Sequence, residues 1–249
     1  MCHPSDRGNK QEWIQILTRL NAEEYKRLAP QLEAVVLSFK ERIYEPGKKI
    51  EYAYFPESGV ISIVKPLADG TLIETRTVGN EGMVGLAAVF GVETTSSQVF
   101  CQVPGRAIRL KADVVLAERR RGGQFAELLM RFAHATVATL AQGVACNRAH
   151  SLEERICRWL LITHDRVGED TFPLTQEFLA QMLGVRRPTV NLAGRSLQRA
   201  GLIRYTRGKI SILDRKGLEE TSCECYEQIR EETARSLDAI LPRRKNKRS

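Results

Sequence analysis

Residues 174–213 read LTQEFLAQMLGVRRPTVNLAGRSLQRAGLIRYTRGKISIL, and the punctuation of this stretch decides the fold. Thr175 can cap a helix in which Phe178, Leu179, Met182 and Leu183 recur at helical spacing. Gly184 stops that helix, because glycine enters a left-handed backbone conformation at little cost. A second helix starts near Arg186, with Pro188 in its first turn, where a missing N–H costs nothing. Val190, Leu197 and Ala200 are expected to form its buried face. Two helices joined by a tight glycine turn make a helix-turn-helix, a motif whose second helix enters the major groove of DNA. After Gly201, residues 202–205 and 210–213 form short apolar strands. The turn Thr206-Arg207-Gly208-Lys209 joins them as a hairpin and makes the motif a winged helix.

The polar side of the second helix carries Arg186, Arg187, Asn191, Arg195 and Arg199. Arginine suits paired contacts to guanine, and asparagine suits adenine. A solvated cationic face, or a winged helix that docks only proteins, would show the same residues. The formal net charge of +8 over 249 residues favours a polyanionic partner, although a membrane surface would tolerate it too. A chain of this length holds two domains and a sizeable core. No apolar run approaches the roughly 20 residues that span a bilayer, and the N-terminus MCHPSDRGNKQEW lacks the apolar core of a secretory signal. A cytoplasmic protein with no membrane partner is expected.

Six cysteines, Cys2, Cys101, Cys146, Cys157, Cys223 and Cys225, are scattered along the chain. Cys223 and Cys225 form one Cys-x-Cys pair with no second pair at zinc-site spacing. Free thiols are the expectation, with a redox or metal role as the alternative. The four histidines share no metal-ligand spacing, and no metal or cofactor is expected. No nucleophile–base pair or Walker-type loop points to an enzyme. Glu153-Glu154 and Glu219-Glu220 are adjacent, so on a helix each pair diverges.

Upstream, residues 11–42 read as helical, with Trp13, Leu17, Leu20, Leu28 and Leu32 as buried positions and Asn21 as a cap. Strands are expected at 60–64, 72–78, 99–103 and 107–110, punctuated by Glu57-Ser58-Gly59, Asp69-Gly70, Gly79-Asn80-Glu81-Gly82 and Pro104-Gly105. Strands so closely spaced suggest an antiparallel barrel or roll, either hollow enough for a small ligand or filled by its own side chains. Gly122-Gly123 then separates a short helix from a long one reaching Ala149. That helix is apolar over more than one face. Phe125, Leu129, Phe132 and Leu140 are expected to form a dimer seam of coiled-coil type, with burial inside one chain as the alternative. Ser151-Leu-Glu-Glu reads as a capping box for the next helix. Residues 215–241 form one or two more helices, and a basic run follows from Pro242. The fold class is α+β: a sensory β-roll over 1–112, a dimerisation helix over 113–149 and a winged helix-turn-helix over 150–249.

In this order of parts the chain resembles the Crp/Fnr family of bacterial transcription regulators along nearly its full length. Tyr54-Phe55-Pro56-Glu57-Ser58-Gly59 looks like the family's early roll motif, and Asn80-Glu81-Gly82-Met83-Val84-Gly85 like its later glycine turn. The resemblance implies a cyclic-nucleotide-binding-like roll, a homodimer, an inverted-repeat operator in double-stranded DNA, and RNA polymerase as a partner. Members that bind cyclic AMP carry a glutamate after the glycine matching Gly85, and an Arg-Ser pair further on. Here Leu86 and Ser96-Ser97 stand in those places, and residues 92–98 hold no cation. A buried phosphate left unpaired would cost several kcal/mol, so cyclic AMP is not the expected effector. Gly85, Leu86, Ser96 and Ser97 mark the place of any other small-molecule effector. Members that sense oxygen hold an iron–sulfur centre on an N-terminal cysteine cluster, where this chain has only Cys2.

The family's base-reading positions match Arg187, Pro188 and Asn191. Arg187 is the expected guanine contact, and Pro188 replaces a glutamate used towards cytosine. Arg186, Thr189 and Arg195, with Thr175, Gln176 and Lys209, are expected at phosphates, which position without specifying. Three readings therefore stand: an effector-controlled DNA-binding regulator; a DNA-binding regulator whose roll is a scaffold, controlled by protein level or thiol chemistry; and a protein–protein adaptor.

Overall fold

A computed structural model describes residues 15–238. Trp13, Cys2, His3 and the basic run after Pro242 lie outside the described residues. The chain opens with α1 (Gln15–Thr18) and α2 (Ala22–Leu28). Asn21 caps α2 as expected, its side chain accepting from the Glu24 amide at 2.9 Å. The helix anticipated over 11–42 stops there. Pro30 sits in a short 3-10 turn, Ala29–Gln31, and the chain becomes strand: β1 (Glu33–Leu37), then β2 (Arg42–Tyr44). Pro30 donates no backbone bond, and β-branched Val35 and Val36 favour extended backbone.

Five more strands complete the roll: β3 (Tyr52–Pro56), β4 (Val60–Pro66), β5 (Leu72–Val78), β6 (Gln98–Val103) and β7 (Gly105–Lys111). They form two antiparallel sheets, ordered β1-β7-β3 and β2-β6-β4-β5. The anticipated strands all form, each within two residues at either end. Between β5 and β6 lies α3 (Leu86–Val89). Leu37, Ile50, Ile61, Val78, Val99 and Cys101 pack together in its interior.

Next come α4 (Ala112–Arg121) and the long α5 (Gln124–Ala149), separated by Gly122 and Gly123 at φ 81° and 97°, values that favour glycine. One face of α5 closes the roll: Phe125, Leu128, Leu129 and Phe132 pack with Ile16, Leu28 and Phe55. This corrects the expected seam. Phe125, Leu129 and Phe132 are fully buried within the chain and cannot face a partner. Leu140 is half-buried and lines a cleft between α5 and β5. A different stripe of α5 stays open, with Met130, Val137 and Val144 at 43%, 67% and 72% exposure. They fall seven residues apart, with His134, Ala141 and Arg148 exposed between and beyond them.

The rest of the chain is α6 (Leu152–Val167), β8 (Thr171–Pro173), α7 (Gln176–Leu183), α8 (Arg187–Arg199), β9 (Ile203–Thr206), β10 (Lys209–Ile212), α9 (Arg215–Thr221) and α10 (Cys225–Asp238). The capping box at Ser151 forms. Ile156, Leu160, Phe172, Leu179, Val190 and Leu197 make the core of this half, and Val64 and Phe100 of the roll join it. Helix α10 runs back along α5: Cys225 meets Gln142, Glu232 stands 3.7 Å from His134, and Leu237 enters the cluster around Phe125. Among the described residues no helix is long and apolar enough to cross a membrane.

Candidate nucleic-acid interface

Thr175 caps α7, its hydroxyl accepting from the Phe178 amide at 3.1 Å. Gly184, at φ 65°, turns the chain left-handed into α8. Val190, Ala193, Gly194 and Leu197 form the buried face of α8. Ala200, expected there, is exposed, because the helix has ended and the chain is turning at Gly201. The wing is a three-stranded antiparallel sheet ordered β8-β10-β9, one strand more than expected. The missed strand holds Phe172, whose aromatic side chain is buried beneath the hairpin. Arg207 and Gly208 form the two-residue loop with φ 47° and 80°, the pair of positive values that matches strand twist in a tight hairpin.

What remains outward on α8 is a cationic face. Arg186, Arg187, Pro188, Thr189, Leu192, Arg195 and Arg199 are exposed, and Asn191 is half-buried. No acid occupies the first turn of α8, so its free N–H groups and positive dipole end suit an anion. Arg187 reaches only a loose 3.9 Å ion pair with Glu177, both side chains being well exposed. Gln176 is half-buried beside Thr175, and Lys209 stands exposed on the wing. Arg204 and Arg207, exposed on the same hairpin, extend the cationic surface. The hairpin sequence contained both: strand alternation exposes Arg204, and Arg207 is exposed at the tip of the loop.

Among the described cavities none is lined by Gly85, Leu86, Ser96 or Ser97. Gly85, at φ 96°, has Tyr44 beside it: a Cβ there would stand 2.6 Å from the Tyr44 hydroxyl. Burial holds the Tyr44 phenol well above its usual range, so it stays neutral. Leu86 packs into the helical cluster around Phe125. Ser96 is held by a cation the loop itself lacks: Lys65 Nζ, from β4, lies 2.5 Å from its hydroxyl. The Ser97 amide donates to Thr95.

A cleft of about 280 Å³ instead opens where β5, α5 and α6 meet. Its polar groups are interlocked. The Trp159 indole and the Ser62 hydroxyl each donate to Glu74 at 2.7 Å. Arg76 donates to Thr136 and covers the Phe132 ring. Arg166 pairs with Glu81 at 2.7 Å and donates to Thr77. Burial lowers the Arg76 pKa to about 10 and raises that of Glu74. For Glu81, burial pushes upward, but Arg166 and the Gly79 amide outweigh it and the pKa falls.

The cysteines are also rearranged. Cys101 and Cys157 are separately buried, but Cys146, Cys223 and Cys225 meet beside His150.

A β-roll sharing a core with an exposed, cation-faced winged helix defines a roll-coupled helix-turn-helix protein. Its parts match known families. The cyclic nucleotide-binding domain family matches residues 35–121, and the Crp-like helix-turn-helix domain family matches residues 154–221. The chain belongs to the Crp/Fnr family of DNA-binding transcription regulators. Over 200 residues it is 25% identical to the CRP-like cAMP-activated global transcriptional regulator of Mycobacterium tuberculosis, covering 77% of this chain and 88% of that protein. Its fold is similar to FixK2 from Bradyrhizobium japonicum, with TM-score 0.66, 17% identity, and 77% and 98% of the two chains covered. It is likewise similar to a CRP-family transcriptional regulator from Thermus thermophilus, with TM-score 0.64, 21% identity, and 76% and 96% covered.

Proposed function

We propose that the protein is a homodimeric, sequence-specific regulator that reads an inverted-repeat operator with two copies of α8. The observation that carries this reading is the exposed cationic face of α8, held by a buried core and flanked by a basic wing. Arg187 would read guanine and Asn191 adenine. Arg186, Thr189 and Arg195 would hold phosphates, with Thr175, Gln176, Lys209, Arg204 and Arg207 around them. The dimer would form through the open stripe Met130–Val137–Val144 of α5, whose heptad spacing and small flanking residues suit close helix pairing. Two readers set roughly 34 Å apart would span one turn of duplex. RNA polymerase is the partner through which such binding would act on transcription.

Cyclic AMP would not be the effector, although the M. tuberculosis relative is named for it. The supporting observation is Leu86 in place of the glutamate, turned into a hydrophobic cluster. Lys65 beside Ser96 supplies a cation, so the missing glutamate carries this reading, and unpaired phosphate charge does not. The domain division at 1–112, 113–149 and 150–249 is part of the same proposal.

Selection of bound duplexes from a random pool by the purified protein, with and without added cyclic AMP, tests the reading. A symmetric motif recovered equally in both conditions supports it. Recovery of no motif would defeat operator recognition, and a motif that appears only with cyclic AMP would defeat the effector reading.

A further inference from the structure

Four donor groups converge where α5 ends and α10 begins. Cys146 and His150 sit one helical turn apart at the end of α5, and Cys223 and Cys225, the latter the first residue of α10, flank Glu224. Their donor atoms all lie within 4.8 Å of one another. Cys146 Sγ and Cys223 Sγ are 3.5 Å apart, and Cys225 Sγ is 3.6 Å from His150 Nδ1. A tetrahedral zinc ion with Zn–S of about 2.3 Å and Zn–N of about 2.0–2.1 Å would space sulfur from sulfur by about 3.8 Å and sulfur from nitrogen by about 3.5 Å. The Cys146–Cys223 and Cys225–His150 separations lie within about 0.3 Å of those values.

The surroundings are those of a ligand set. All three cysteines are buried, at 0%, 4% and 0% exposure for Cys146, Cys223 and Cys225. His150 turns its Nε2 to the Glu224 carboxylate at 3.1 Å, which leaves Nδ1 towards the sulfurs. A carboxylate behind a ligating imidazole fixes its tautomer and orientation. Gln142 Nε2 donates to Cys225 Sγ at 3.0 Å, so a polar group already faces that sulfur. Three thiolates and a neutral imidazole around a divalent ion leave one net negative charge. Arg158 lies near enough to oppose the effect of burial on Cys146, and its Nε is buried with no partner among the described residues.

We propose that Cys146, His150, Cys223 and Cys225 form a Cys3His site for a single tetrahedral zinc ion. The site staples the junction of α5 and α6 to the start of α10. On the DNA-binding reading above, this junction sets the angle between the dimer stripe and the reader helix, so the ion holds the reader half in register. Each thiol that binds gives up its proton to solvent and the metal keeps its oxidation state. Because each thiol must lose its proton to bind, uptake weakens as pH falls.

The test uses the full chain, purified under reducing conditions without chelator. Elemental analysis is expected to find one zinc per chain, lost in Cys223→Ser and Cys225→Ser and retained in Cys101→Ser and Cys157→Ser. Cobalt added anaerobically to chelator-stripped protein is expected to give the visible absorption of a tetrahedral thiolate complex. Glu224→Ala, which keeps all four donors, is expected to weaken metal affinity by about 10–100-fold. A stripped wild-type chain that takes up neither zinc nor cobalt overturns the proposal. So does a zinc content unchanged by Cys223→Ser and Cys225→Ser, or a Cys146–Cys223 disulfide or acid-labile sulfide in place of zinc. None of these readouts depends on DNA, so failure here and failure of the operator reading are distinguishable.

Discussion

Arg166 of α6 and Glu81 of the roll's glycine turn form a 2.7 Å ion pair, with side chains only 13% and 12% exposed. The pair ties the reader half to the roll. Arg166→Met would leave the Glu81 charge buried without its partner, which is expected to cost about 3–5 kcal/mol in denaturant unfolding at neutral pH. The sign of the pH effect follows from the lowered Glu81 pKa. Its contribution is full above the ordinary carboxylate pKa and is lost as pH falls through the lowered value. Wild-type stability should therefore decline in acid more steeply than that of Arg166→Met. Parallel declines would show that the pair contributes nothing.

Glu74 works in the opposite sense. Burial raises its pKa, although Ser62 and Trp159 both donate to it. The protonated form suits the folded state, so this group's contribution is best at low pH and diminishes as pH rises through the raised value. Glu74→Gln keeps an acceptor for the indole and removes the charge. Its denaturation midpoint is expected to equal or exceed wild type at neutral pH, with the gap closing towards about pH 4. A large loss at neutral pH would mean that the carboxylate itself is needed.

On the proposed dimer, two faces of α5 are expected to separate folding from pairing. Phe132, 2% exposed, packs beneath Gly82, where a Cβ would stand 2.4 Å from the Phe132 ring. Phe132→Ala is expected to cost about 3–5 kcal/mol of stability. Val137→Glu, on the open stripe, is expected to leave the fold intact and shift sedimentation from dimer to monomer. A Val137→Glu chain that remains dimeric would place the seam elsewhere.

On α8, Arg187→Ala is expected to cost about 1–3 kcal/mol of operator binding and to relax preference at one base pair. Arg195→Ala is expected to weaken all sequences alike and to reduce the salt slope by about one. Competition titrations against operator and scrambled duplexes at several salt concentrations distinguish them. Equal loss on both duplexes for Arg187→Ala would make it a phosphate contact.

Much of this was legible in the residues because local signals agreed with tertiary ones. Thr175, Gly184, Ser151 and Gly122-Gly123 mark helix ends through their own backbone and side-chain chemistry. β1 was illegible because it is an edge strand with Val36 74% exposed, so no inward–outward alternation betrays it. The seam was misplaced for a related reason. Periodicity locates apolar stripes on α5 without saying which neighbour covers each, and the large aromatics went to the roll while valines and alanines stayed open. The thiol cluster was hidden by separation. Its two halves lie 77 residues apart between Cys146 and Cys223, and only the return of α10 along α5 joins them.

On the proposed function, two copies of this chain present α8 to one duplex. Sedimentation or light scattering of the protein titrated with its selected duplex, at rising salt, tests it most directly. The expected result is two chains per duplex, with affinity falling steeply as salt rises. One chain per duplex, or no binding to any duplex even at low salt, would contradict it.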